Sequence, residues 1–180
     1  MTSTMPVPFI FELPNEHWRP VEPESLGVHN AAFLAVRDEH TGDYTPTLSI
    51  SGDWRPDDAT LDQIADEAVV LLGRQGTEVE LVRRRDAGSE QAPAVFQVLG
   101  ATAVAEGQTW DIRQGQVFLA LKDVTDPRER AVVAITLTTT FGQFDEYLPE
   151  LQTFMRSVEV RNRDEGPTDE GPTDGGPSPR

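Results

Sequence analysis

Hydrophobic positions alternate with polar ones in some stretches of the chain and recur every three to four residues in others. Alternation is typical of a strand with one buried face, and spacing near 3.6 residues is typical of an amphipathic helix. Alternation and short apolar runs predict strands at residues 9–13, 31–37, 47–51, 78–85, 94–105, 109–121 and 131–140. The helical spacing predicts helices over residues 58–73 and 143–158.

Each predicted helix carries one apolar stripe. The stripe of the first consists of Leu61, Ile64, Ala65, Ala68, Leu71 and Leu72. Thr60 and Gln63 have the spacing of a capping box, and the acids Asp57 and Asp58 favour the positive end of the helix dipole. The stripe of the second consists of Phe144, Tyr147, Leu148, Leu151, Phe154 and Val158. Pro149 falls inside this pattern, where it either kinks the helix or marks its first turn.

Glycines mark the expected irregularities of the strands. Residues 52–56 are expected to end the third strand, Gly100 to form a bulge, and Gly115 to interrupt the strand at 109–121. The strands at 31–37 and 47–51 are expected to form an antiparallel hairpin, and the later strands a meander with short connections. The order of elements predicts an α+β fold, in which helices flank an antiparallel sheet.

The composition changes sharply after residue 163. The pentad Asp-Glu-Gly-Pro-Thr occurs at 164–168 and again at 169–173, and no apolar residue follows Val160. Such a segment buries too little surface to offset the entropy of ordering it. We expect a single α+β domain over residues 1–163 and a disordered acidic tail over residues 164–180.

Net charge narrows the class of partner. The chain of 180 residues carries a formal charge of −16, of which the tail contributes five carboxylates and one arginine. This balance opposes contact with phosphate backbones and predicts no nucleic-acid binding. It favours solubility and attraction to basic proteins.

Further absences in the sequence bear on location. No run approaches the roughly 20 apolar residues of a membrane span, and the first fourteen residues lack the basic region of a secretory signal. The chain has no cysteine, which excludes disulfides, zinc–thiolate sites and lipid attachment to cysteine. We expect a cytoplasmic location and no membrane association.

Candidate catalytic and metal-binding groups are sparse. His17, His29 and His40 fall in separate predicted loops, without a metal-ligand spacing. The acids of the segment 53–58 could hold a hard cation, but the helix start that follows attracts acids in any case. Glu146 and Glu150 share a helix face and are expected to be solvated. No nucleophile elbow or phosphate-binding loop is present, so the sequence predicts no cofactor and no catalytic residue.

Partner-binding candidates are aromatic and basic. Trp18, Trp54 and Trp110 lie near predicted loops or strand ends, where they either contact a partner or plug the ends of the sheet. In the run 83–85, alternation places Arg84 on the face opposite Arg83 and Arg85. These arginines either bind an anionic group or pair with the chain's own acids.

The beginning and the end of the domain resemble the Mog/PsbP-like superfamily, in particular its actinobacterial LpqN-like branch. The resembling segments are Phe-Ile-Phe-Glu-Leu-Pro at 9–14 followed by Trp18, the strand at 30–36, the helix at 61–72, and Phe-Asp-Glu-Tyr-Leu-Pro-Glu-Leu-Gln-Thr-Phe-Met-Arg-Ser-Val at 144–158. Residues 15–17 depart from the glycine that often precedes the tryptophan, and the lipid-anchor cysteine of LpqN-type lipoproteins is missing. The resemblance implies an α/β/α sandwich and a mostly non-enzymatic superfamily.

The resemblance and the sparse chemistry favour a protein-binding module, an adaptor or chaperone-like partner, with secretion-associated chaperones as a special case. A face of the sheet, or the loops around Trp18 and Trp54, would contact the partner. The alternative is a carrier of a small ligand in an apolar pocket between sheet and helices. An enzyme is the third hypothesis, and a pocket with converging histidine and carboxylates would favour it.

Overall fold

The computed structural model describes residues 8–75, 78–122 and 130–160. The predicted acidic tail and the last residues of the predicted domain lie outside the described residues. The elements in chain order are β1 (Phe9–Ile10), β2 (Trp18–Val21), a 3₁₀ turn (Pro23–Leu26), β3 (Phe33–Arg37), β4 (Thr47–Trp54), α1 (Leu61–Gly73), β5 (Val79–Asp86), β6 (Ala94–Ala105), β7 (Gln108–Lys122), β8 (Arg130–Thr140), α2 (Phe144–Ser157) and β9 (Glu159–Val160).

Seven strands form one antiparallel sheet in the order β2-β3-β4-β8-β7-β6-β5. The meander from β5 to β8 and the hairpin of β3 and β4 are joined where β4 pairs with β8. The short strands β1 and β9 pair with each other. The two helices pack on opposite faces of the sheet, each with its own hydrophobic cluster. The predicted α+β fold, an antiparallel sheet between helices, is confirmed.

The face that α2 covers is the closed one. Its buried cluster includes Trp18, Ile50, Phe96, Val117, Ile135, Leu137 and all four buried residues of α2, namely Phe144, Tyr147, Leu151 and Phe154. Rings of Phe11 and Phe33 lie 4.6 Å apart beside Phe154. Apolar residues at every second strand position create this face, as the alternation of β4 and β8 predicts. Pro149 lies inside α2 rather than in its first turn.

The opposite face is covered only in part. The first turns of α1 bury Ile64 and Ala65 against Val95, Phe118 and Val132. A capping box of Thr60 and Gln63 begins the helix, as the sequence predicted. Toward the C-terminus of α1, Val70 and Leu71 are more than half exposed. The helix packs over β5, β6 and β7 and over the beginning of β8. In the described chain the same face of β3, of β4 and of β8 from Thr136 onward has no helix above it.

Several strand predictions need correction. β2 was not predicted, and β4 continues through Gly52 to Trp54 instead of ending at residue 51. Gly100 is no bulge, because it pairs in register with Glu80 and Arg113; the irregularity lies between Leu81 and Arg83. A Cβ at Gly100 would meet the guanidinium of Arg113 at 1.8 Å. The glycine therefore makes room for that side chain.

Gly115 does not interrupt β7 but lets α2 approach the sheet closely. A Cβ at this position would lie 3.1 Å from Cδ2 of Leu151 and 3.3 Å from ring carbons of Phe144. Both neighbours are buried and packed, so neither has free space into which to move. The glycine is a packing residue of the closed face.

The substitution Gly115→Val should lower the free energy of unfolding by about 1–3 kcal/mol, because overpacking forces side chains off their rotamers. Gly142→Val is the matched control, since a Cβ at Gly142 meets nothing within 4 Å. Urea unfolding followed by circular dichroism measures both variants. Equal stability of the two variants would contradict the packing role.

Candidate functional site

The candidate site is the cleft between α1 and the part of the sheet that α1 leaves uncovered, here called the α1 cleft. Its volume is about 940 Å³. The floor consists of one face of the strands β4, β8 and β7. One wall is formed by α1 from Gln63 to Leu72, and the other wall by residues between Val28 and Leu34.

Most residues of the floor are polar, and Phe118, Val132 and Ala134 form its apolar part. Strand register places Ser49, Thr136, Gln116, Gln97 and Arg84 opposite one another on five successive strands. A parallel row contains Thr47, Thr138 and Gln114. Adjacent rows are two residues apart along each strand, which corresponds to roughly 6.6 Å. The cleft therefore presents regularly spaced hydroxyl and amide groups.

The amides of the floor form a continuous hydrogen-bonded chain, here called the amide relay. Arg84 donates to Oε1 of Gln97 from Nε at 3.0 Å and from Nη2 at 2.8 Å. Gln97 Nε2 donates to Oε1 of Gln116 at 2.7 Å and to the carbonyl of Ala65 in α1 at 3.1 Å. The relay thus joins β5, β6, β7 and the helix through one fully buried side chain.

Beyond Gln116 the relay reaches the open floor. Gln116 Nε2 donates to Gln114 Oε1 at 3.0 Å, and Gln114 Nε2 donates to Thr138 Oγ1 at 3.3 Å. The direction of every bond follows from the two ends. A guanidinium can only donate and a carbonyl can only accept, so Gln97 must turn its oxygen to Arg84 and its nitrogen to Ala65. The orientation of each later amide follows from the one before it.

The charges at the rim are mostly paired. Arg55 lies between Asp57 and Glu67, with contacts of 2.7 and 2.6 Å. Hydrogen bonds from this guanidinium hold the pKa of Asp57 and of Glu67 below their usual values, and the same two carboxylates raise the pKa of Arg55. Asp66 pairs with Arg84 at 2.7 Å. Among the described residues neither Asp53 nor Arg74 has an ionic partner, so the rim retains one unpaired carboxylate and one unpaired guanidinium.

Of the two roles that the sequence left open for Trp18, contact with a partner or a plug of the sheet, the structure has the plug: Trp18 lies in the closed face and is only 3% exposed. Its Nε1 donates to Glu150 Oε2, and the other oxygen of Glu150 lies 3.2 Å from Arg37 Nη2. The guanidinium of Arg37 also lies 5.2 Å from the ring centroid of Tyr147. The expectation that Glu150 is solvated is wrong, because the strand β2 brings Trp18 onto α2.

The other predicted contact residues are accessible but lie outside the α1 cleft. Trp54 ends β4 and is half exposed, and Trp110 packs edge-on against Tyr44 at 5.5 Å. Arg83 and Arg85 stand on the closed side, each about 5.5 Å from the ring of Phe96. Arg84 is on the opposite face, as alternation predicted. Among the described residues only Arg84 of the three pairs with carboxylates, and the contact role of the others stays a prediction.

The histidines do not converge. His17 lies 3.4 Å from Glu39, and His40 contacts the hydroxyl of Thr45. Within the described ranges no three histidine, aspartate or glutamate side chains are close enough to hold a metal ion. No helix in the described part of the chain has the length and apolar character to span a membrane.

No protein-family profile matches the chain, and no curated protein sequence is significantly similar to it. Among solved structures it is similar to LpqN of Mycobacterium tuberculosis, a protein involved in cell envelope biogenesis, with a TM-score of 0.58 and 13% identity over 87% of this chain and 86% of LpqN. The cyanobacterial PsbP of Synechocystis (12% identity, 89% and 94% coverage) and the Ran-binding protein Mog1p of Saccharomyces cerevisiae (10%, 87% and 96%) each give 0.49. The chain has the Mog/PsbP-like fold.

Replacing Gln97, the central amide of the relay, tests how much the relay contributes to the stability of the fold. Gln97→Met keeps the volume but leaves Gln116 Oε1 without its donor and removes the side-chain amide that Arg84 binds. The Ala65 carbonyl keeps its donor within the helix. An unpaired buried acceptor costs about 1–3 kcal/mol, so the free energy of unfolding should fall by about that amount. Chemical denaturation measures it, with Gln108→Met as the exposed control. A loss no larger than that of the control would contradict the anchoring role.

Replacing Glu150 tests whether its contacts with Trp18 and Arg37 stabilise the closed face. Glu150→Gln removes the charge that faces Arg37, whose side chain is only 12% exposed. An unpaired, nearly buried guanidinium is costly, so stability should fall by about 1–3 kcal/mol. Glu146→Gln, one helical turn earlier and exposed, should change it by less than about 0.5 kcal/mol. Thermal unfolding measures both variants, and equal unfolding midpoints for Glu150→Gln and Glu146→Gln would contradict the stabilising role of Glu150.

Proposed function

We propose that this protein is a non-enzymatic adaptor that holds a segment of a partner protein in the α1 cleft. The carrying observation is the polar, uncovered floor of the sheet beside the exposed apolar flank of α1 at Val70 and Leu71. The non-enzymatic character that the superfamily resemblance implies supports a binding role. The cytoplasmic location expected from the sequence remains part of the proposal.

The shape of the cleft favours a chain segment over a compact ligand. Its floor follows β4 from Thr47 to Asp53, a length of roughly 20 Å at about 3.3 Å per residue. An extended peptide of about six residues covers that distance. A small-ligand carrier needs an enclosed pocket, whereas this cleft is open and its wall residues Val70 and Leu71 are more than half exposed. Its floor combines hydroxyls and amides with the apolar residues Phe118, Val132 and Ala134.

Charge favours a basic segment. The whole chain carries −16, and the charged side chains that line the cleft are three carboxylates and two arginines, namely Asp53, Asp66, Glu67, Arg55 and Arg74. The lining therefore has one carboxylate more than it has arginines, and Asp53, which has no ionic partner among the described residues, can pair with a lysine or arginine of the partner. Long-range attraction would accelerate such association and weaken with salt.

A display library of random dodecapeptides, selected on the full-length protein, tests the proposal. Enriched peptides should combine basic residues with apolar ones. Thr136→Trp places a ring on the floor and should weaken their binding by about tenfold or more, a change of ~1.4 kcal/mol. Thr102→Trp is the matched control, because it adds the same ring at an exposed threonine on the other face of β6. Ser49→Trp fills the floor from the next strand and serves if Thr136→Trp fails to fold.

Fluorescence anisotropy of the enriched peptides gives the dissociation constants of all variants. Binding that falls for the floor variants and stays unchanged for Thr102→Trp supports the proposal. A selection without enriched peptides, or peptides indifferent to both floor variants, would overturn it. A compact organic molecule found bound in native mass spectra, and displaced by Thr136→Trp, would favour the carrier instead.

A further inference from the structure

Thr138, which is half-buried, ends the amide relay at the floor of the cleft. Its oxygen accepts the hydrogen bond from Gln114 Nε2, so the hydroxyl proton takes no part in that bond. No described residue accepts it, and Gln114 Nε2 carries a second proton. The hydroxyls of Thr47, Ser49, Ser51 and Thr136 also make no hydrogen bond within the described chain. This end of the floor therefore offers donors to the cleft.

The relay strengthens those donors. Its first member is the cation Arg84, and each amide then donates in the same sense, from Gln97 to Gln116 to Gln114. Successive hydrogen bonds polarise one another, by about 10–30% per bond. The relay lies largely out of water, since Gln97 is fully buried and Gln116 is 7% exposed. The Thr138 hydroxyl is consequently a better donor than an isolated threonine.

The surroundings select the kind of acceptor. A carboxylate or phosphate would meet the rim acids Asp53, Asp66 and Glu67. Arg55 and Arg84 already pair with carboxylates, so of the described cleft residues Arg74 is the one unpaired guanidinium that could attract an anion. A neutral carbonyl meets no such repulsion. In an extended peptide, carbonyls on one side recur every two residues, about 6.6 Å apart. The rows of Thr138 and Thr136 have the same spacing.

We infer that Thr138, together with the free Nε2 proton of Gln114, forms a subsite that binds a main-chain carbonyl oxygen of the partner segment. This inference rests on the proposed function and specifies how the segment is recognised. The segment lies along β4 and β8, with one carbonyl at Thr138. The neighbouring row offers Thr136 and Ser49 to a second carbonyl two residues away.

The test is a double-mutant cycle with the tightest peptide from the selection. Thr138→Val removes the hydroxyl with little change in shape, and Thr138→Ser retains it. In the peptide, single amide-to-ester replacements weaken one carbonyl acceptor at a time. Calorimetry should show about fivefold weaker binding for Thr138→Val, the size of one hydrogen bond, and near-wild-type binding for Thr138→Ser. One ester position should weaken binding to the wild type and have no further effect with Thr138→Val.

Control variants separate recognition from folding. Thr136→Val removes a floor hydroxyl that accepts from no amide of the relay, and it should weaken binding less than Thr138→Val. Thermal unfolding of each variant must show that the fold is retained. If peptides bind in the cleft but no ester position couples to Thr138, the carbonyl subsite is overturned and the adaptor proposal stands. If no peptide depends on the floor, both fail.

Discussion

The buried amide of Gln97 determines where α1 lies, and the position of α1 determines which part of the sheet stays open. A fully buried amide is tolerated only when its donors and acceptor are all paired. Here Arg84 supplies the donors, while Ala65 and Gln116 supply the acceptors. Because the Ala65 carbonyl belongs to the helix backbone, α1 cannot slide toward β4 without breaking this set. The cleft is a consequence of that constraint.

One face of the sheet is fully packed and stabilises the fold, whereas the other face stays partly accessible. On the closed face, rings from α2 interlock with alternating apolar residues, and Gly115 removes the last obstacle to close contact. On the other face, the sheet presents a buried apolar surface only beneath the first turns of α1. Threonine, serine and glutamine side chains can face water at little cost, whereas leucine side chains would have to be covered by a helix. The open strands are therefore stable when exposed to water.

Alternation and helical spacing predicted most of the fold, because an element that is buried on one face has apolar residues at regular intervals. β2 escaped prediction since Arg19 and Pro20 are typical of loops, and proline is tolerated only at an edge strand such as this one. Without β2 the prediction also missed the contact between Trp18 and Glu150, which joins residues 132 positions apart. Packing between a strand and a helix that are distant in the chain is not encoded in single-sequence patterns.

The cleft is harder to predict from the sequence than the fold. The apolar stripe of the first helix was predicted to Leu72, and nothing in its spacing distinguishes the covered half from the exposed half. The informative signal was polar: Gln97 interrupts an apolar strand, and Gln114 and Gln116 occupy alternate positions on the next strand. Glutamines at alternate positions share one face of a sheet, so paired strands can join them into a network. A polar row inside a buried strand thus indicates a surface where hydrogen bonds, rather than apolar contact, determine what the sheet can bind.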